Sequence, residues 1–212
     1  MIRNIIFDIG GVLIDLQPQR TLDALRALSR QPIEELSDRE LLGGGNNRIV
    51  DAYMTGDISD VEFFSGLQQT AKAGVGIAEL KEAWNAMLIG LPETRVRTIK
   101  SLHKEGVKIA LLSNINEEHL HTTKQIFKRA DFQLVRDYDY AFYSNELHLA
   151  KPNQEIYRMA LEKTGFVPEE TLYIDDLQQN IEAGATFGLQ TLCATGDDWV
   201  KVLPRYDFVG RR

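Results

Sequence analysis

The sequence predicts a doubly wound α/β fold with an all-helical segment inserted after the first strand. Three observations carry that expectation. Short apolar runs recur at Ile5–Phe7, Val107–Leu112, Tyr140–Tyr143, Leu172–Ile174 and Thr191–Cys193. Runs of this kind, without alternation, mark parallel strands covered on both faces. Segments with helical punctuation separate the later runs, and the first two runs are parted by a long stretch that reads almost wholly as helix.

Taken in order, Ile5–Phe7 leads directly into Asp8. Behind Pro18, Leu22, Leu25 and Leu28 repeat at three-residue intervals. Ser59 and Glu62 have the spacing of a capping box ahead of Phe63, Phe64 and Leu67. Ile77, Leu80, Trp84 and Met87 form a further apolar stripe. Residues 16–90 are therefore assigned to the helical insert, and residues 1–15 with 91–212 to the core. Within the core, Pro92 opens a helix carrying Val96, Ile99 and Leu102, and Gly106 closes it. Pro152 opens another, with Ile156 and Ala160 on one face and Gly165 at the stop. A third runs from Asn180 to Phe187 and ends at Gly188. Strands alternating with helices in this way make a five-stranded Rossmann-like core.

Bulk properties narrow the function. A chain of 212 residues accommodates one sizeable core with a modest insert, and 43% apolar with 26% charged residues is ordinary globular composition. The formal net charge of -7 argues against nucleic acid or a membrane surface as partner, since both call for basic patches. Cys193 is the only cysteine, which excludes an intrachain disulfide and a CxxC metal site. The first apolar run is too short for a signal peptide, and no stretch approaches the roughly 20 apolar residues of a membrane span. A cytoplasmic location is expected.

Ligands of parallel α/β sheets bind beyond the carboxyl ends of the strands. The residues there are Asp8-Ile9-Gly10-Gly11-Val12 after the first strand and Ser113-Asn114 after the second. Lys151-Pro152 follow the third, and Asp175-Asp176 the fourth. A carboxylate, a hydroxyl, a cation and an acidic pair thus converge on one edge of the sheet.

Phe7-Asp8-Ile9-Gly10-Gly11-Val12-Leu13, Leu111-Leu112-Ser113-Asn114, Lys151-Pro152 and Tyr173-Ile174-Asp175-Asp176 resemble the four motifs of the haloacid dehalogenase-like hydrolase superfamily. Gly56-Asp57-Ile58-Ser59-Asp60-Val61-Glu62-Phe63, and Asn180 and Gly184 after the acidic pair, resemble its sugar-phosphatase-like members. The resemblance implies a helical cap and a magnesium-dependent phosphatase acting on a small phosphorylated metabolite, in particular a sugar phosphate. It implies Asp8 as the nucleophile that forms an aspartyl-phosphate, with Lys151 and Ser113 as catalytic partners. Ile9, Gly10, Ser113, Asn114 and Lys151 would bind the phosphate; Asp8, the Gly10 carbonyl and one or both of Asp175 and Asp176 would hold Mg2+. The chemistry is coherent: a carboxylate attacks a dianionic phosphate only where cations screen the charge, and magnesium prefers hard oxygen ligands.

The chain departs from the pattern at Gly10, where many such phosphatases carry an Asp as general acid and base. Losing such a group typically forfeits about 10²–10⁴-fold in rate, so activity is expected to depend on leaving-group quality. Asp15 is a substitute from sequence, although a loop or hinge role suits it better. Two other functions compete. A 2-haloacid dehalogenase needs neither metal nor acid, but Asp175-Asp176 would repel its carboxylate substrate. A catalytically weak regulatory or ligand-binding protein is the other, and retention of the whole set argues against it.

Other features have plain readings. Gly43-Gly44-Gly45 lacks the Gly-Lys-Ser/Thr of a phosphate loop and reads as a connection between helices. His119 and His121 are two apart on a helix, hence on different faces. Asn47 and Arg48 read as surface residues, and Trp84 as packing.

Overall fold

The computed structural model describes residues 1–30 and 47–210; the Gly43-Gly44-Gly45 connection lies outside them. Five parallel strands form the sheet: β1 (Asn4–Phe7), β4 (Lys108–Ser113), β5 (Tyr140–Tyr143), β6 (Thr171–Asp175) and β7 (Gln190–Cys193), in the order β5-β4-β1-β6-β7. Each expected strand is present, with its ends moved by no more than a residue. β1 lies at the centre, Phe7 level with Leu111 on one side and Ile174 on the other.

Successive side chains of a strand point to opposite faces. Ile5, Phe7, Ile109, Leu111, Leu172 and Ile174 fill one layer of core, whereas Ile6, Ala110, Leu112 and Tyr173 fill the other. Both layers are closed by helices, which is why the strands read as unbroken apolar runs. Residues that end neighbouring strands at the same level meet at the carboxyl edge, and this brings distant motifs together.

Two further strands join the core to the insert. β2 (Asp15–Leu16) and β3 (Leu88–Gly90) form an antiparallel ribbon pairing Asp15 with Gly90 and Leu16 with Leu88. The all-helical expectation for the insert misses this ribbon, since two or three residues carry no readable period. Between them lie α1 (Pro18–Leu28), α2 (Arg48–Met54), α3 (Asp60–Thr70) and α4 (Ile77–Asn85). These helices have an apolar centre of their own that includes Leu22, Leu25, Phe63, Phe64, Leu80 and Trp84. The Ser59–Glu62 capping box forms as expected. Asn47 is not idle surface: its side chain accepts the Ile49 and Val50 amides and starts α2.

The core helices that frame the site are α5 (Glu93–Lys104), α6 (Glu117–Arg129), the single turn α7 (Ser144–Leu147), α8 (Gln154–Thr164) and α9 (Gln178–Ala185). A short α10 (Asp198–Val202) follows β7. Asn153 caps α8 by accepting the Glu155 amide, and Gly165 ends it in the left-handed conformation. No helix among the described residues is long and apolar enough to cross a membrane.

Candidate active site

Asp8 is the first residue beyond β1, and its amide still donates to the Ile174 carbonyl at 2.9 Å. The strand's ladder therefore fixes the backbone from which the carboxylate projects. The chain then turns tightly, with the amides of Leu13 and Ile14 both donating to the Ile9 carbonyl at 2.8 Å. Contacts from remote parts of the chain brace this turn. Arg95 Nη1 donates to the Leu13 carbonyl (2.9 Å), Trp199 Nε1 to that of Val12 (3.1 Å), and the Gly196 amide to that of Gly11 (2.8 Å).

The two adjacent glycines have different reasons to be glycine. Gly11 has φ of +74°, and a Cβ there would lie 2.4 Å from Asp176 Oδ2. Only glycine allows both that backbone and that approach. A Cβ on Gly10 would meet just the end of the Leu16 side chain, 3.0 Å away, with no backbone strain.

Lys151 is 4% exposed, and its ammonium is fully used. Nζ lies 2.9 Å from Asp8 Oδ1 and 2.7 Å from Asp175 Oδ2, and donates to the Leu112 carbonyl at 2.9 Å. Its backbone is clamped by the Asn114 side chain. Ser113, at the end of β4, is buried; its hydroxyl makes a contact of 3.5 Å with the Asn114 carbonyl, at the limit of a hydrogen bond. The Ile9 amide is turned on Asp8 Oδ1 at 2.7 Å.

The acidic pair divides by direction. Asp175 is fully buried and faces back into the protein. Its Oδ2 accepts Lys151 Nζ and the Tyr173 hydroxyl; its Oδ1 accepts the Leu177 amide (2.9 Å) and Asn180 Nδ2 (3.0 Å). A carboxylate offers about four lone-pair positions, so this one is filled. Asp176 is turned to the other side, beside Gly11, and shares the wall of a cavity of about 430 Å³ with Asp8, Gly10, Ser113, Asn114 and Lys151. Asp8, Asp175 and Asp176 each offer an oxygen within 4.8 Å of the others'.

Electrostatics follow from this arrangement. Burial pushes the Asp8 carboxyl up to about 7, Lys151 opposing and the two neighbouring carboxylates assisting. Burial and then Asp175 raise Asp176 to about 6. Burial would also raise Asp175, yet Lys151 and the hydrogen bonds around it hold it below the ordinary carboxylate value. Burial disfavours the charged form of Lys151, but Asp175 and Asp8 outweigh it and keep the lysine protonated. Three carboxylates against one ammonium leave the site short of positive charge, as a site for a divalent cation should be.

Asp15 takes no part in the cavity. It is paired with Arg95 Nη2 at 2.6 Å, and Arg95 Nε also holds Asp197 at 2.7 Å.

Sequence reasoning missed a seam between the insert and the start of α6. Trp84 donates from Nε1 to Asn116 Oδ1 at 3.4 Å, its ring stacks on His119 at 5.2 Å, and its carbonyl lies 3.1 Å from His119 Nε2. A carbonyl only accepts, so Nε2 carries the proton and Nδ1 accepts from Asn116 Nδ2 at 3.2 Å. The imidazole is buried and neutral, its pKa lowered to about 4 by desolvation. Beside it the Glu118 carboxylate accepts Lys81 Nζ (2.6 Å) and Asn85 Nδ2 (2.7 Å). His119 and His121 do face different ways, as their spacing implies.

Known proteins repeat this plan. The chain is 27% identical over 201 residues to a D-ribitol-5-phosphate phosphatase of Bacteroides thetaiotaomicron, covering 94% of this chain and 95% of that protein. A HAD family enzyme of the same organism, solved in complex with magnesium and inorganic phosphate, superposes with a TM-score of 0.84 at 28% identity, covering 95% of this chain and 99% of that one. A predicted HAD-like family hydrolase from Porphyromonas gingivalis gives 0.83 at 28% identity, with 97% of each chain covered. Residues 2–188 match the family model of haloacid dehalogenase-like hydrolases, and with the α/β fold and the strand-end carboxylates in place, the chain belongs to that family.

Proposed function

We propose that this chain is a magnesium-dependent phosphomonoesterase in which Asp8 attacks the phosphorus of a small phosphorylated metabolite. The observation that carries the reading is Lys151 held between Asp8 and Asp175, with Asp176 facing the same cavity as Asp8. The alcohol half is a sugar or polyol by the name of the ribitol-phosphate relative.

The donor set fits a hard divalent cation: carboxylate oxygens within 4.8 Å of one another, unmatched in charge. Asp8, Asp176 and the carbonyl of Gly10 would hold it, and Asp175 would stand behind Lys151. When bound, it neutralises charge on the phosphate and on the attacking carboxylate. Lys151 fixes the orientation of Asp8 and adds a positive charge beside the phosphoryl oxygens. Ser113 donates its uncommitted hydroxyl to one of these oxygens, and the Ile9 amide turns from Asp8 to another. The Asp8 oxygen forms its bond to phosphorus as the alkoxide leaves, giving an aspartyl-phosphate; water then attacks phosphorus, releasing phosphate and restoring the carboxylate.

The cavity supports a reaction that discriminates by leaving group. Gly10 brings no acid, and Asp15 is tied to Arg95 away from the cavity. The helical insert acts as a cap that shields the transfer from bulk water. Dehalogenation is disfavoured, because Asp176 beside Asp8 would repel a carboxylate substrate. Phosphate release from p-nitrophenyl phosphate and a sugar-phosphate panel, with magnesium and with chelator, tests the reading. Release that requires the metal and vanishes in Asp8→Asn upholds it; no release by folded, magnesium-loaded protein defeats it.

A further inference from the structure

Buried polar side chains almost always find a partner, and the exceptions mark places where water or a ligand completes the set. Among the described residues, four buried side-chain atoms have none: Asn85 Oδ1, Thr123 Oγ1, Asn145 Oδ1 and Asn180 Oδ1. Thr123 and Asn180 line the cavity over Asp8. Asn180 is engaged through Nδ2 with Asp175 and belongs to the acidic end of that cavity. Thr123, 1% exposed, has no such tie.

The place of Thr123 on its helix turns it to the cavity. It lies in the second turn of α6, four residues after His119, and residues so spaced share a face. Both line the cavity, and α6 packs against β3 of the ribbon. The lining also includes the apolar side chains of Ile14, Leu16, Met87, Leu88 and Ile115. A helical threonine can return its hydroxyl to a carbonyl three or four residues earlier. Thr98 does so to Thr94 at 2.9 Å and Thr164 to Ala160 at 2.8 Å, and both are only half-buried. Thr123 is buried and its hydroxyl returns to neither carbonyl.

Apolar walls with a few placed polar groups are how pockets fix the orientation of a small ligand. The group placed here is neutral and both donates and accepts, which suits a hydroxyl. We propose that Thr123 is a specificity-determining residue, its hydroxyl taking up a hydroxyl of the substrate's alcohol half. The proposal rests on the phosphatase reading and deepens it: Thr123 selects a polyol or sugar phosphate over an alkyl phosphate of the same length. The selecting group stands on the core helix that follows Ser113-Asn114, not on the insert.

Thr123→Val keeps the side chain's volume and removes the hydroxyl, whereas Thr123→Ser keeps the hydroxyl. Because this hydroxyl has no protein partner, its removal should not lower the melting temperature. Ribitol 5-phosphate and pentyl phosphate, equal in carbon count, are compared as competitive inhibitors of p-nitrophenyl phosphate hydrolysis with magnesium present. Thr123→Val should weaken ribitol 5-phosphate about tenfold, the scale of one hydrogen bond, and pentyl phosphate less than about twofold. Thr123→Ser should bring ribitol 5-phosphate back to within about threefold of wild type. A merely structural role would move the two ligands together. Equal weakening of both, or no weakening of ribitol 5-phosphate, overturns the proposal and leaves the phosphatase standing. Failure of the wild type to turn over p-nitrophenyl phosphate counts against the phosphatase itself. The melting-temperature shifts given by the same two ligands then decide: loss of the ribitol 5-phosphate shift alone in Thr123→Val upholds the role, and loss of both or of neither overturns it.

Discussion

Asn114 and Lys151 exchange two hydrogen bonds: Asn114 Nδ2 donates to the Lys151 carbonyl at 2.8 Å, and the Lys151 amide donates to Asn114 Oδ1 at 2.8 Å. The pair fastens the end of β4 to the loop that carries the ammonium. Asn114 thus acts through its side chain on Lys151. Asn114→Ala should leave the protein folded but lower kcat roughly 10- to 100-fold, the scale of a misplaced catalytic group. Steady-state kinetics beside an unfolding curve checks this; an unchanged kcat would show that Lys151 is positioned without the clamp.

The two acidic residues should fail differently. Asp176→Asn removes an oxygen donor that faces the cavity, and should raise the magnesium needed for half-maximal activity by more than about 100-fold, beyond the range of an indirect effect on a metal site. Asp175→Asn should change that requirement by no more than about 10- to 100-fold, the scale of an indirect effect on a metal site, while lowering kcat because Lys151 loses one of its two carboxylates. Magnesium titrations of both variants distinguish the roles.

Adjacent glycines should also respond in opposite ways. Gly10→Asp is sterically admissible once the Leu16 side chain gives way, and it would place a carboxyl beside the leaving group. Hydrolysis of alkyl phosphates should rise by up to about 10²–10⁴-fold, with little gain for p-nitrophenyl phosphate, whose leaving group needs no proton. Gly11→Ala should abolish activity, because its Cβ would collide with Asp176 Oδ2. Rate measurements on a series of leaving groups test both.

Stability should fall in acid through His119. Its folded-state pKa is about 4, against the ordinary value of 6.5. Between these values the unfolded chain takes up a proton that the folded chain refuses, so stability present above pH 6.5 drains away as pH falls toward 4. The loss amounts to about 3 kcal/mol by the lower value. The raised Asp8 and Asp176 carboxyls act in the opposite direction over the same range. The readout is therefore the difference between wild-type and His119→Gln urea denaturation, which should shrink as pH falls from 6.5 toward 4.

Local patterns made much of this molecule readable. Buried strands leave apolar runs, capping residues leave their spacing, and strand ends are short enough for the meeting of Asp8, Ser113 and Lys151 at one cavity to be expected directly. The division between Asp175 and Asp176 was not readable, because it depends on which face of β6 each side chain takes and on Tyr173 and Asn180 being at hand. The tie between Asp15 and Arg95 spans 80 residues, and that between Trp84 and His119 spans 35. Nothing in either neighbourhood announces its partner. Met87 reads as part of an apolar stripe and does pack, yet like Met54 it also lines the cavity; an apolar stripe does not record what lies on its far side.

The ribbon of Asp15–Leu16 with Leu88–Gly90 has a consequence for how such a protein diversifies. The chain departs for the helices and returns on adjacent strands, whose spacing is about 4.8 Å. An excursion with one doorway can change in length without disturbing the strands, so long as it keeps its seam with Asn116, Glu118 and His119. Lineages can exchange the whole excursion, or remodel it residue by residue, while the carboxylates beneath are inherited untouched. Choice of alcohol and mode of attack then evolve on separate clocks.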